Sequence, residues 1–132
     1  MKFDIDVVKT YRYCYINARY NGERIGKLCV DLDSEDVTRY TKVHKGKFAK
    51  IILVSTSEKF VGRGVATALM NKAIETLKDY NLYLNVISLK RNDNDKDKHQ
   101  LMEFYKKFGF KQYDDDICTT TMIRTIDLQY VT

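Results

Sequence analysis

The apolar pattern of the chain changes period at one place, and the change straddles two glycines. Upstream, Ile51-Ile52-Leu53-Val54 forms a near-continuous apolar run inside Phe48 to Thr56, a stretch of strand length. Such a run predicts a strand buried on both faces, in the middle of a sheet. Downstream, Val65, Leu69, Ala73, Leu77 and Tyr80 recur at steps of three or four, widened by Ala66, Met70 and Ile74. Asn71, Lys72, Glu75 and Lys78 lie towards the other side. This period predicts an amphipathic helix with Asn81 at its exit. Between the two lies Val61-Gly62-Arg63-Gly64-Val65-Ala66. A chain with this pattern must start a helix directly off the end of a central strand.

The remaining elements are read outward from that unit. Tyr11 to Tyr20 is rich in tyrosine and β-branched or small residues, and Arg24 to Asp33 returns as a second strand. Asn21-Gly22 between them is the strongest short hairpin signal, since both residues tolerate φ > 0. A plain two-residue turn pairs Tyr15 with Leu28, Tyr13 with Val30, Tyr11 with Leu32 and Cys14 with Cys29, which makes one continuous apolar face. Leu82 to Leu89 reads as a strand. Lys98 to Phe108 reads as a helix capped by Gly109. Phe110 to Tyr113 and Cys118 to Leu128 read as closing strands around Asp114-Asp115-Asp116. The polar stretch Arg91 to Lys98 reads as a solvated loop. The coarse order is four strands, a helix, a strand, a helix and two strands, hence a mixed sheet with at least two helices packed on it.

Composition narrows the class. The 132 residues suit one domain, are 44% hydrophobic and 31% charged, and contain no proline. No apolar run approaches the roughly 20 residues of a membrane span, and the start lacks the apolar stretch of a signal peptide. Cys14, Cys29 and Cys118 are an odd set without close spacing, so neither a disulfide framework nor a metal site is expected, and the chain reads as reduced and cytoplasmic. His44 and His99 stand alone. The alternating Asp93, Asp95 and Asp97 lack the Gly and distal Glu of a calcium loop. The net charge of +5 suits a phosphate-rich ligand, a nucleic acid or simple solubility.

The glycine loop carries the chemistry. Amides at a helix start have no intrahelical partners, and the helix dipole adds positive charge there. Together they form an anion site that glycine lets a phosphate approach closely. The loop is not a Walker loop, because no Gly-Lys-Ser/Thr occurs, and Thr67 breaks the G-x-G-x-x-G pattern. Lys59 and Arg63 supply nearby charge.

Ile51 to Met70, with Gly64 and Ala66 at the two small positions, resembles the acyl-CoA-binding motif of the GNAT N-acetyltransferases, whose pattern is Arg/Gln-x-x-Gly-x-Gly/Ala. Val61 stands where that family usually has Arg or Gln. Phe104-Tyr105-Lys106-Lys107-Phe108-Gly109-Phe110 is similar to the family segment Leu/Phe-Tyr-x-x-x-Gly-Phe, and Lys98 stands where an asparagine is usual. The two motifs cover roughly residues 50 to 112, and the first half agrees in element order only.

The resemblance implies an α/β (α+β) fold in a single domain over residues 1–132: a mixed, mostly antiparallel central sheet of six to seven strands with helices on both faces. It implies an N-acetyltransferase that moves an acetyl group from acetyl-CoA, as co-substrate, to a primary amine of a small molecule or protein. It places the pyrophosphate on Val61, Gly62, Arg63, Gly64, Val65, Ala66 and Thr67, and the pantetheine along the main chain of Val54, Ser55 and Thr56. Tyr105 matches the family tyrosine that acts as general acid, and a phenol can protonate a departing thiolate. No carboxylate occurs between Phe48 and Val54, and Glu58 and Asp31 are the nearest candidates for a base. Two rivals stand beside this reading. One is a fold-retaining acyl-CoA-binding or interaction protein without catalysis. The other is a small basic nucleic-acid binder, against which the charges are scattered rather than clustered. A homodimer is left open.

Overall fold

The computed structural model describes residues 1–34, 45–87, 96–115 and 120–126. Its strands are β1 (Asp4–Lys9), β2 (Tyr13–Tyr20), β3 (Glu23–Asp31), β4 (Lys47–Thr56), β5 (Tyr80–Val86), β6 (Lys111–Asp115) and β7 (Thr120–Arg124). A short 3-10 turn, Glu58–Phe60, follows β4, and the helices are α1 (Val65–Thr76) and α2 (Lys98–Lys106). The order along the chain is the expected one, and β1, to which the sequence reading assigns no residues, is the fourth strand ahead of α1. The strands form one sheet in the order β1-β2-β3-β4-β5-β7-β6. β4 and β5 pair in parallel, and the other neighbours are antiparallel.

The hairpin turn forms as expected, with Asn21 at φ 51° and Gly22 at φ 78°. Its register does not. Tyr20 faces Glu23 and Arg19 faces Arg24, but Ala18 then faces Gly26, so Ile25 is an extra residue on β3. The bulge slips every later pair by one. Tyr15 faces Cys29 and Cys14 faces Val30, correcting the expected Tyr15–Leu28 and Cys14–Cys29 pairs. Cys14, Ile16 and Ala18, rather than the tyrosines, supply the deeply buried face of β2. Tyr11 lies ahead of the strand and is 97% exposed.

α1 packs Val65, Leu69, Met70 and Ala73 against β2 and β3. Gly26 permits this contact: a Cβ there would lie 2.6 Å from Val65 Cγ1 and 3.3 Å from the Ser55 carbonyl oxygen. The helix ends earlier than its period predicts, with Leu77 as its cap. Tyr80 and Asn81 therefore belong to β5, and Asn81 is a buried strand residue rather than a helix exit. Its Nδ2 donates to the carbonyls of Lys45 (2.8 Å) and Lys47 (3.2 Å), and its Oδ1 accepts from the Ile126 N–H (2.7 Å). One side chain thus ties the start of β4, β5 and the end of β7.

α2 starts on a capping box. The Asp97 carboxylate accepts the Gln100 N–H (2.8 Å), and the Gln100 side chain accepts the Asp97 N–H (2.9 Å). Gly109 follows the helix at φ 89°. Leu101, Met102, Phe104, Tyr105 and Phe108 pack on the same main cluster as α1. A second cluster, Phe48, Tyr83 and Ile123 with Tyr113, is made of strand residues. Cys118 and residues 127 and 128 of the expected last strand lie outside the described residues.

β4 departs most from expectation. Phe48, Ala49 and Ile51 are buried, yet Ile52 and Leu53 are 49% and 43% exposed. Two facts explain this. Leu53 faces Cys29 while Ile51 faces Val30, so Ile52 is a bulge that bends the strand. Pairing with β5 also stops at Lys50 and Tyr83, although β4 runs to Thr56 and β5 to Val86. The two parallel strands part beyond that point, and burial on both faces ends with the pairing.

Candidate active site

The parting of β4 and β5 lies beside an open groove of about 300 Å³. Val54 and Thr56 line it from the end of β4. Phe60, Val61, Gly62 and Gly64 line it from the loop, and Val65, Ala66 and Thr67 from the start of α1. Lys96, Leu101, Phe104 and Tyr105 close it from the α2 side.

Gly62 and Gly64 adopt φ 81° and 82°, a left-handed backbone that a side chain strains. A Cβ at either would meet nothing within 4 Å, so conformation rather than space calls for glycine there. Gly64 is the N-cap of α1 and makes no side-chain cap, and the first intrahelical bond runs from Ala68 N–H to Gly64 C=O (3.0 Å). The amides of Val65, Ala66 and Thr67 precede it, and the helix dipole reinforces them. The groove floor is therefore an anion site.

Arg63 does not line the groove. Its guanidinium lies 5.9 Å from the Phe60 ring centre. Lys59 and Glu58 border a separate hollow with Tyr20, Asn21 and Glu23. Among the described residues, the cation that lines the groove is Lys96, whose Nζ sits 5.4 Å from the Phe104 ring centre.

Tyr105 is half-buried and packs edge-on against Phe104 (5.4 Å) and Phe110 (6.1 Å). Burial pushes its phenol pKa above the ordinary value, so it holds its proton through the neutral range. Among the described residues, those lining the groove include no carboxylate. Asp31 is held at the far end of β3 by Arg12 (3.3 Å) and the Asp33 N–H (2.9 Å), and Glu58 faces the other hollow. Neither of the two carboxylates that the sequence offers as a base reaches the groove. Asp97 is spent on its capping box, His99 is exposed, and His44, Asp93 and Asp95 lie outside the described residues.

Of the expected site residues, the fold brings Val54, Thr56, Val61, Gly62, Gly64, Val65, Ala66, Thr67 and Tyr105 to one groove, and leaves Ser55 and Arg63 off its lining. Sequence reasoning missed Phe60, Leu101, Phe104 and Lys96 as lining residues. Leu101 and Phe104 are apolar positions of the second helix, and apolar character alone does not separate core from groove lining. Lys96 carried no signal inside a run of charges. Among the described residues no helix is long and apolar enough to cross a membrane.

A model of the Acetyltransferase (GNAT) family matches residues 3–110. Among solved structures, PH1933 from Pyrococcus horikoshii OT3 is similar with a TM-score of 0.68 at 22% identity, over 86% of this chain and 66% of that one. The PaiA N-acetyltransferase of Thermoplasma acidophilum, in complex with coenzyme A, is similar with a TM-score of 0.62 at 16% identity, over 86% and 61%. NAA60 of Arabidopsis thaliana, in complex with acetyl-CoA, is similar with a TM-score of 0.63 at 16% identity, over 89% and 78%. The match thus spans just under two thirds of the length of PH1933 and of PaiA. No curated protein matches the sequence.

Proposed function

The chain belongs to the GNAT acetyltransferase family, and on that premise we propose that it transfers an acetyl group from acetyl-CoA directly to a primary amine. The observation that carries this reading is that Tyr105 and the two-glycine loop, 41 residues apart from Gly64 in sequence, line one groove at the open end of β4. The ligands of PaiA and NAA60, coenzyme A and acetyl-CoA, support the same donor here.

The pyrophosphate sits on the amides of the loop and of Val65 to Thr67. Lys96 adds the charge that Val61, in place of Arg or Gln, does not. The pantetheine runs along the main chain of Val54 to Thr56, where β4 has left β5. The neutral amine attacks the thioester carbonyl carbon, a C–N bond forms and the C–S bond breaks. The departing thiolate takes the Tyr105 phenol proton. The amine gives its surplus proton to water, and the phenolate regains one from solvent. The described residues of the groove lining include no carboxylate, so in this reading the amine arrives neutral.

That the described lining includes no carboxylate also favours a second reading, a protein that binds acetyl-CoA without turnover. Thiol release from acetyl-CoA, followed across a panel of amines, separates the two. Amine-dependent release supports transfer. Binding of acetyl-CoA without release from any amine supports the second reading and sinks the first.

A further inference from the structure

Resting on the acetyl-transfer reading, we propose that the acceptor is a primary amine carried on an apolar alkyl or aryl group, received by Ile52, Leu53 and Ile87. Among the described residues these are three of the large hydrophobic side chains most exposed, at 49%, 43% and 56%. All three lie where β4 and β5 part. The parallel register sets Lys50 abreast of Tyr83, and parallel strands advance together by about 3.3 Å per residue. Ile52 and Leu53 therefore stand on one side of the gap and Ile87, just past β5, on the other.

They also share a face. Leu82, Leu84 and Val86 turn to the main cluster beneath the helices, so alternation turns Tyr83, Asn85 and Ile87 to the opposite face. On β4, Ala49, Ile51 and Val54 belong to the helix side, and the bulge leaves Ile52 and Leu53 off it. The donor groove occupies the helix side, so an acceptor reaches the thioester from this opposite face.

The chemistry of the mouth selects the amine. Neither Lys47–Thr56 nor Tyr80–Ile87 contains an Asp or Glu, and the ionisable group that β4 sends to this face is the cation Lys50. A polycation finds no countercharge on either strand. An apolar substituent covers aliphatic surface otherwise left in water. Apolar surroundings also favour the uncharged form of an amine, the nucleophilic form. The mouth thus supplies part of what a general base would supply in a groove whose described lining includes no carboxylate.

The test measures thiol release from acetyl-CoA with hexylamine, ethanolamine and spermidine, using the full chain and its Ile87→Ser and Leu53→Ser variants. Hexylamine is expected to exceed both other amines in kcat/KM by about tenfold or more, and each variant to lower that preference severalfold, chiefly through KM. Both positions are exposed, so the variants fold, and an unchanged melting temperature checks it. A preference for ethanolamine or spermidine, or variants that leave the preference unchanged, overturns the proposal. If no amine turns over, hexylamine must still raise the melting temperature of the coenzyme A complex more than ethanolamine does, and equal effects overturn it. A melting temperature that acetyl-CoA alone does not raise instead sinks the transfer reading on which the proposal rests.

Discussion

At Lys47–Lys50, β4 is paired with β5, Phe48 and Ala49 are buried, and Asn81 ties the neighbouring main chain. A few residues on, the same strand has bulged at Ile52, lost β5, exposed Ile52 and Leu53, and turned Val54 and Thr56 into a groove. One end has every reason to be rigid, since its polar groups are bonded within the protein. The other has main chain and apolar surface to offer. The bulge divides them, and a strand that stayed flat and paired to its end would have no groove. Stability changes should therefore concentrate at the closed end and activity changes at the open end.

Asn81→Leu should break the closed end most severely. It leaves the part-buried Lys45 and Lys47 carbonyls and Ile126 N–H without their side-chain partner. A typical hydrogen bond contributes about 0.5–1.5 kcal/mol, so losing three should cost about 1.5–4.5 kcal/mol in denaturant unfolding. A loss below 1 kcal/mol would erase the contrast between the ends.

Tyr105→Phe should act the other way round. The expected fall in kcat is about a hundredfold, with the melting temperature nearly unchanged. Burial raises the Tyr105 pKa, so the acid stays protonated until the pH passes the ordinary phenol value of about 10. The rate should fall only above that point, and the variant should lack the limb. The stability that comes from burying the neutral phenol should likewise be complete below about pH 10 and be lost as the pH rises further.

Gly26→Ala is the exception to this division, since it lies beside Thr56 at the open end yet probes the packing that carries α1. Its Cβ would press on Val65, the first residue of the helix, at 2.6 Å. A stability loss of about 2 kcal/mol is expected from overpacking, with weaker acetyl-CoA binding because the helix start moves. Lys96→Ala should give the smallest effect. Acetyl-CoA binding should weaken about threefold to fivefold and lose part of its salt dependence, as for an exposed charge pair. No change would remove Lys96 from the donor site.

Much of this arrangement was legible in the chain. The period change across Gly62 and Gly64 located the loop, and the Phe104 to Phe110 segment located Tyr105. What escaped was set by bulges. Gly26 in mid-strand was a sign of the first, since glycine inside a strand marks a bulge or a close approach, and here it marks both. The second, at Ile52, has no glycine. Ile51 to Val54 looks the same in sequence whether the strand is buried on both faces or bends away from its neighbour. Lys96 was hidden by its charged surroundings, and Asp97 by the same run, although Asp97-x-x-Gln100 spelled a helix start.

The claim that the open end of β4 and the glycine loop form an acyl-CoA site is tested most directly by thermal unfolding with and without acetyl-CoA, for the native chain and for Gly64→Val. At about 100 times Kd the ligand should stabilise the native chain by about 2.7 kcal/mol, a rise of roughly 10 °C for a domain of this size. Gly64→Val, which forces a β-branched residue into φ 82°, should lose most of that rise. No rise in the native chain, or an equal rise in both, would contradict the account.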